Sequence, residues 1–184
     1  MLKQDLEIGN YHLINYGNLE SSDSLAILSM RNHPLIKKQM NNFQIISIKE
    51  HYKFIDNLNS DSVGYWIVKK KNRILGSISL TNINSDESSC VGGNYVDPSR
   101  VGTGLGLVIN YVMHLMAFEK ICCKMMSASI KKTNTNAMKI NDFFGAIVIN
   151  PSSDDDSFVH VKFLKTKWEE DIKLKTHKLL RYAD

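Results

Sequence analysis

The strongest constraint on the fold is a stretch in which a strand pattern gives way to a helical pattern across three closely spaced glycines. Residues 90–96 favour a strand, and residues 107–118 form an apolar run of helical length. Between them Gly102, Gly104 and Gly106 alternate with other residues. Glycine permits backbone conformations that other residues avoid. The sequence therefore predicts a strand, a sharp loop and a buried helix in direct succession.

Further periodic segments surround this unit. Strand patterns occur at 11–16, 63–68, 74–80, 124–130, 146–149 and 158–164, and helical patterns at 22–32, 48–57, 133–144 and 168–183. Ser47 and Glu50 form a capping box at the start of one of these helices. The order predicts a single α+β domain over residues 1–184, with a mixed, mostly antiparallel central sheet flanked by helices.

Composition narrows the classes of function. The 184 residues carry a net charge of +4, and their basic residues are not interleaved with aromatic ones, so no nucleic-acid partner is expected. Asn110 and His114 interrupt the longest apolar run, and the N-terminus has no signal-peptide pattern, so no membrane partner is expected. The three cysteines show neither a disulfide framework nor metal-ligand spacing. We therefore expect a cytoplasmic protein without a metal site.

The glycine loop is also typical of an anion site. Backbone N–H groups at a helix start can point at a ligand, and the helix dipole places positive charge there. The spacing differs from the dinucleotide fingerprint because Leu107 stands at the last glycine position, and the loop lacks the Gly-Lys-Ser/Thr of a P-loop. The sequence predicts a phosphate-bearing ligand at this loop.

Three segments together resemble the GNAT superfamily of N-acetyltransferases. They are the strand that ends Tyr95-Val96-Asp97-Pro98, the loop 102–106 and the helix from Asn134-x-x-Ala137 to Phe144-Gly145. The resemblance covers nearly the whole chain and implies acetyl-CoA or another short acyl-CoA as co-substrate. The residues it implies for binding this co-substrate are Val96, Val101, Gly102, Thr103, Gly104, Leu105, Gly106 and Asn134.

Two adjacent glycines precede the loop inside the strand. Gly92 and Gly93 indicate either a β-bulge or a close backbone approach. In the GNAT family a bulge at this place offers an amide to the thioester oxygen, so the resemblance implies an oxyanion role for both glycines.

A narrower resemblance, to the nucleotide-amino-sugar N-acetyltransferases of the pseudaminic-acid pathway, is ungapped from residue 65 to residue 98. It implies direct attack on acyl-CoA by the amino group of a nucleotide-linked amino-dideoxy sugar, with an acetyl or short hydroxyacyl group transferred. The residues implied to face this acceptor are Arg31, Met40, His51, Phe54, Thr81 and Tyr95.

The chain departs from the GNAT pattern at two positions. Val101 stands where glutamine or arginine is usual, and Asn141 stands where the family has a tyrosine that protonates the departing thiolate. Asparagine can donate a hydrogen bond but cannot give up a proton at neutral pH. Deprotonation of the amine is assigned to water held by hydroxyls, since no carboxylate is obviously placed as a base. The candidate hydroxyls are those of Ser79, Thr81 and Ser129, with His51 as the alternative base.

Two other classes of function stay open, as does the oligomeric state. One is an N-acetyltransferase for protein or peptide amines, and the other is a non-catalytic acyl-CoA-binding module. Arg31 and nearby lysines favour an anionic acceptor, whereas Asn141 favours the binding module. The sequence also leaves open UDP or dTDP as the carrier, and a homodimer formed through the strands near the C-terminus.

Overall fold

An eight-stranded sheet organises the computed structural model, which describes residues 2–58, 61–84, 86, 88–149 and 157–181. The strands are β1 (Leu6–Ile8), β2 (Tyr11–Asn15), β3 (Gly64–Lys70), β4 (Arg73–Thr81), β5 (Ser89–Val96), β6 (Met125–Lys131), β7 (Ile147–Ile149) and β8 (Phe158–Leu164). Their order in the sheet is β1-β2-β3-β4-β5-β6-β8-β7. Only β5 and β6 pair in parallel among these strands. The predicted mixed, mostly antiparallel sheet is confirmed.

Helices pack on both faces of the sheet. They are α1 (Ser21–Asn32), α2 (Pro34–Lys37), α3 (Ile48–Asp56), α4 (Leu105–Leu115), α5 (Thr135–Phe143), α6 (Lys165–Lys167) and α7 (Lys173–Thr176), with π-helical turns at Met116–Lys120 and Trp168–Ile172. On one face α4 packs on β4 and β5 in the larger hydrophobic core. On the other face α1 and α3 lie over a smaller core. The predicted acidic turn at 154–156 and the last residues of the predicted C-terminal helix lie outside the described residues.

The predicted capping box is present. Ser47 Oγ accepts from the backbone N–H of Glu50 at 3.2 Å, and a Glu50 carboxylate oxygen accepts from Ser47 N at 2.8 Å. The two bonds satisfy backbone donors that the first turn of a helix otherwise leaves unpaired. They fix the start of α3, and with it the position of this helix over the smaller core.

At Gly76 the chain leaves no room for a side chain between β4 and the end of β5. Gly76 pairs with Val96, and a Cβ at Gly76 would lie 2.3 Å from the backbone oxygen of Tyr95. Backbone atoms in the middle of a sheet cannot move away cheaply. We expect Gly76→Ala to lower the free energy of unfolding by about 1 to 3 kcal/mol in urea denaturation. Gly17→Ala is the control, since its Cβ would meet only Asn15 Oδ1 at 3.3 Å. Equal losses in the two variants would contradict this account.

Candidate active site

The glycine loop is open towards solvent and shaped by positive φ angles. Gly102 has φ +87° and Gly104 has φ +85°, a region that strongly favours glycine. A Cβ at either residue would meet no atom within 4 Å, so a ligand can approach the backbone. Gly104 is the N-cap of α4, and the first amides of a helix have no partner within it. The loop therefore fits the phosphate-bearing ligand that the sequence predicts.

Side chains of the loop brace its shape from within. Asp97 Oδ1 accepts from Ser99 N at 2.9 Å and from Ser99 Oγ at 2.7 Å. Thr103 Oγ1 donates to the backbone oxygen of Arg100 at 2.8 Å. Val101 is 44% exposed and has no polar side-chain atom to offer a ligand. The backbone, rather than the side chains, is the part of this loop that can bind an anion.

The third glycine also allows close packing of two helices, and its predicted contact with the co-substrate stays a prediction. A Cβ at Gly106 would lie 2.8 Å from Ile140 Cδ1, so this glycine lets α4 and α5 approach each other. Asn134 is the N-cap of α5, and its Oδ1 accepts from Ala137 N at 3.2 Å. The two helices behind the loop therefore pack closely where Gly106 faces Ile140, and Asn134 fixes the start of α5.

Strands β5 and β6 separate halfway along their length. Their pairing covers only Ser89–Val91 against Met125–Ser127. Beyond Val91, β5 continues to Val96 paired with β4 alone. Backbone groups of residues 92–96 that point towards β6 thus have no partner in this ladder. The opening between the strands leads directly to the glycine loop and can take an extended ligand.

The predicted bulge at Gly92 and Gly93 does not appear in the pairing of β4 with β5, and the atoms that approach these glycines closely belong to side chains rather than to backbone. The pairing of β4 with β5 runs without a register shift through both residues. A Cβ at Gly92 would lie 2.6 Å from Met126 Sδ, and one at Gly93 would lie 2.8 Å from Ser79 Oγ. The glycines are therefore needed for side-chain packing on both faces. The oxyanion role of their amides stays a prediction.

One face of the sheet carries a row of hydroxyls beside this opening. Residues directly opposite each other on neighbouring strands share a face, and here Ser79 stands opposite Tyr65 and Gly93, and Ser77 opposite Tyr95. We call Tyr65, Ser77, Ser79, Thr81 and Tyr95 the hydroxyl strip. Ser79 Oγ lies 3.4 Å from Gly93 O, and Thr81 Oγ1 lies 3.5 Å from Val91 O. Bonds this long are weak, so both hydroxyls can also serve a ligand or water.

Arg31 lies near the hydroxyl strip at the end of α1. Its Nη2 donates to the backbone oxygen of Asn42 at 2.5 Å, and its Nη1 is buried without a partner among the described residues. Burial lowers the pKa of the guanidinium, and Tyr95 and Tyr16 are close enough to oppose that shift electrostatically. Arg31 therefore keeps a donor that no described residue uses.

The other residues predicted to contact the acceptor substrate differ in their exposure. Phe54 is 41% exposed and packs edge-on against Tyr65, with ring centroids 5.1 Å apart. Met40 is half-buried in the segment after α2. His51 is buried, its Nε2 lies 3.1 Å from Ser24 Oγ, and burial lowers its pKa. His51 thus links α3 to α1, and direct substrate contact by it stays a prediction.

The remaining predicted catalytic residues already have partners. Ser129 Oγ lies 2.9 Å from His160 Nδ1 on the exposed surface of β6 and β8. Asn141 is buried in α5, and its Nδ2 donates to Ala137 O at 2.7 Å within the helix. This bond occupies one of the two N–H groups of Asn141, and an amide has no acidic proton to give to a thiolate.

Tyr16 is a site residue that sequence reasoning missed. Its Oη lies 2.9 Å from Ser77 Oγ and 3.2 Å from Tyr95 Oη. Burial raises the pKa of Tyr16 and raises that of Tyr95 well above its usual value. Tyr16 follows β2 and is far from β4 and β5 in the sequence, so no local pattern could indicate these contacts.

Two features are absent from the described residues. These residues contain no group of three or more His, Cys, Asp or Glu side chains able to hold a metal ion. No helix within them is both long and apolar enough to cross a bilayer.

Comparison with known proteins identifies the family. No family model matches the chain. The acetyltransferase PseH of Campylobacter jejuni subsp. jejuni is 33% identical over 129 residues, which cover 70% of this chain and 79% of the relative. The crystal structure of C. jejuni PseH with acetyl coenzyme A matches with TM-score 0.67 and 24% identity, covering 84% of this chain and 98% of that one.

A second solved structure shares the fold at lower identity. The spermidine N-acetyltransferase of Vibrio cholerae with CoA and spermine matches with TM-score 0.75 and 14% identity, covering 88% of this chain and 99% of that one. The glycine loop, the separated strands and the relative PseH agree on one assignment. The chain belongs to the GNAT N-acetyltransferases and is an enzyme that uses acetyl-CoA as its co-substrate.

Proposed function

We propose that the protein transfers an acetyl or short hydroxyacyl group from acyl-CoA to the amino group of a nucleotide-linked amino-dideoxy sugar. The observation that carries the proposal is the hydroxyl strip with Arg31 at its end. A sugar offers hydroxyls that pair with such a strip, and its diphosphate offers negative charge to a guanidinium. The similarity to PseH supports the same substrate class.

The charges around the site favour an anionic acceptor over a polyamine or basic peptide. A polyamine carries several positive charges and calls for carboxylates in its site. On the helices near the site, Asp23 pairs with Lys69 at 2.7 Å and Glu50 caps α3. Arg31 adds a positive charge instead.

The proposed mechanism is direct attack, with acetyl-CoA supplying the acetyl group as a reactive thioester. The loop amides hold the phosphates, and the hydroxyl strip orients the acceptor amine beside β5. Water held by Ser79 and Thr81 takes the proton that the attacking amine must lose. A sugar amine is less basic than lysine, so a strong base is not required. With Asn141 in place of an acid, water protonates the leaving thiolate.

Removing both hydroxyls tests the role of this water. We expect Ser79→Ala/Thr81→Ala to lower kcat by about 100-fold, because general base catalysis typically contributes this much. The KM for acetyl-CoA should stay unchanged, since the glycine loop is intact. Ser129→Ala, measured in parallel, tests the alternative position of the base. A fully active double variant would remove the proposed water from the mechanism.

The substrate class is tested by coenzyme A release with a panel of acceptors. Acetyl-CoA and 3-hydroxybutyryl-CoA are each combined with UDP- and dTDP-linked amino-dideoxy sugars, spermidine and a basic peptide. Turnover with a nucleotide sugar alone is expected and would identify carrier and acyl group together. Turnover with spermidine or peptide alone would overturn the proposed acceptor. Coenzyme A binding without turnover on any amine would favour a binding module.

A further inference from the structure

A chain of three hydroxyls runs from a buried backbone carbonyl to the open cleft. Ser77 Oγ lies 3.1 Å from Trp66 O, Tyr16 Oη lies 2.9 Å from Ser77 Oγ, and Tyr95 Oη lies 3.2 Å from Tyr16 Oη. Ser77 and Tyr16 are buried, whereas Tyr95 is partly exposed. The proposed transfer reaction assigns no task to Tyr16 or Ser77.

The direction of this chain follows from its buried end. A carbonyl can only accept, so Ser77 uses its one proton on Trp66 O. Ser77 Oγ then accepts the proton of Tyr16, and Tyr16 Oη accepts the proton of Tyr95. The opposite direction would forfeit the bond to Trp66 O inside the core, where polar groups need partners.

Tyr95 therefore donates its proton inwards to Tyr16 and keeps a lone pair of its oxygen with which it can accept from a ligand. It follows Gly93 by two residues and shares its face of β5, so it lies beside the place predicted for the thioester. Arg31 is within electrostatic reach of Tyr95 and has a buried Nη1 without a partner among the described residues. Tyr95 thus offers a neutral acceptor beside a charged guanidinium at one end of the hydroxyl strip.

We propose that Tyr95 is a specificity-determining residue whose oxygen accepts a hydrogen bond from the acceptor amine, with Tyr16 and Ser77 as the positioning residues that fix its orientation. The inference rests on the proposed function, because it assumes an acceptor bound along the hydroxyl strip. An amine can donate to Tyr95 and still use its own lone pair for attack. A keto sugar on the same carrier has no proton to donate and is rejected.

The test compares an amino-dideoxy sugar nucleotide as substrate with its keto counterpart as competitive inhibitor. In Tyr95→Phe, kcat/KM for the amino sugar should fall about tenfold or more, since one hydrogen bond is lost. In Tyr16→Phe and Ser77→Ala, the proton of Tyr95 is no longer held inwards and can donate to the keto oxygen. These two variants should bind the keto sugar about fivefold to tenfold more tightly than wild type, while the amino sugar loses kcat/KM.

If Tyr16 and Ser77 had a merely structural role, their replacement would weaken the binding of the amino sugar and of the keto sugar alike. Tyr111→Phe is the matched control, because Tyr111 is a buried tyrosine on α4 that packs against Trp168 in the other core. Tyr111→Phe should leave kcat/KM for the amino sugar and the inhibition constant of the keto sugar unchanged. The proposal would be overturned if Tyr16→Phe and Ser77→Ala bound both the amino sugar and the keto sugar more weakly. It would also be overturned if Tyr95→Phe preferred the amino sugar over the keto sugar as strongly as wild type does.

Wild-type turnover judges the proposed function separately. If no sugar nucleotide is acetylated, the proposed function fails. The orientation of the three hydroxyls can then still be tested in the free protein, by NMR of the hydroxyl protons of Ser77, Tyr16 and Tyr95. A slowly exchanging Tyr95 hydroxyl proton that becomes fast in Tyr16→Phe supports the inward orientation. Fast exchange of this proton in both proteins would overturn the inward orientation.

Discussion

Replacement of Gly104 by asparagine is expected to raise the dissociation constant for coenzyme A by about 100-fold while the protein stays folded. Asparagine enters the positive-φ region more readily than other residues, so strain at φ +85° is limited. Its side chain would fill the open space above the loop, where the phosphates must approach the amides. Isothermal titration calorimetry with coenzyme A measures the loss directly.

Gly145→Asn is the matched control for this experiment. Gly145 also has a positive φ, +76°, but it ends α5 and its Cβ would face Lys167 and Ile172, not the loop. Coenzyme A should bind this variant as it binds wild type. Normal binding by Gly104→Asn, or equal losses in both variants, would contradict the assignment of the loop.

Acid should destabilise the protein through His114. This side chain is buried between stacked rings, with centroids 4.7 Å from Phe144 and 5.6 Å from Trp168, and Phe163 meets it edge-on. Its Nδ1 donates to Asn110 O at 2.8 Å, and its Nε2 has no partner among the described residues. Burial lowers the pKa of His114 to about 4, from an ordinary value near 6.5.

The sign of the effect follows from these two pKa values. Between about pH 6.5 and pH 4, His114 is protonated in the unfolded chain but stays neutral in the folded protein. The free energy of unfolding therefore decreases as the pH falls. From pH 7 to pH 4.5 this residue should account for a loss of about 2 to 3 kcal/mol. Between pH 7 and pH 4.5 the free energy of unfolding of His114→Phe should therefore fall by about 2 to 3 kcal/mol less than that of wild type. Urea denaturation at the two pH values measures this difference.

His12→Phe serves as the control for His114, because His12 is an exposed histidine on β2. Its stability should change between pH 7 and pH 4.5 by the same amount as that of wild type. A His114→Phe variant that is as acid-sensitive as wild type would show that burial does not suppress protonation at this site.

Most of the fold follows from local patterns in the sequence. The alternation of residues 74–80 and the apolar run at 107–118 predict β4 and α4, because each pattern matches the period of one secondary structure. The capping box at Ser47 predicts the start of α3. The three-residue strand β1 was missed, since so short a segment has too few positions to show a period.

The candidate site is only partly predictable for a different reason. The glycine loop is local, and its glycines can be assigned from spacing alone. The contacts of Tyr16 with Ser77 and Tyr95 join residues 61 and 79 positions apart, so they depend on sheet order, which the sequence does not show directly. The bulge predicted at Gly92 and Gly93 failed for the same reason. These glycines make room for Met126 and Ser79, which are distant in the sequence and come near only in the folded sheet.

A competition between two acceptors tests the central claim most directly. Limiting acetyl-CoA is mixed with the protein and equal concentrations of a UDP- or dTDP-linked amino-dideoxy sugar and spermidine, and the products are identified by mass spectrometry. We expect the acetyl group on the sugar nucleotide and no acetylated spermidine. Acetylated spermidine as the main product would contradict the account and would make the protein a polyamine acetyltransferase.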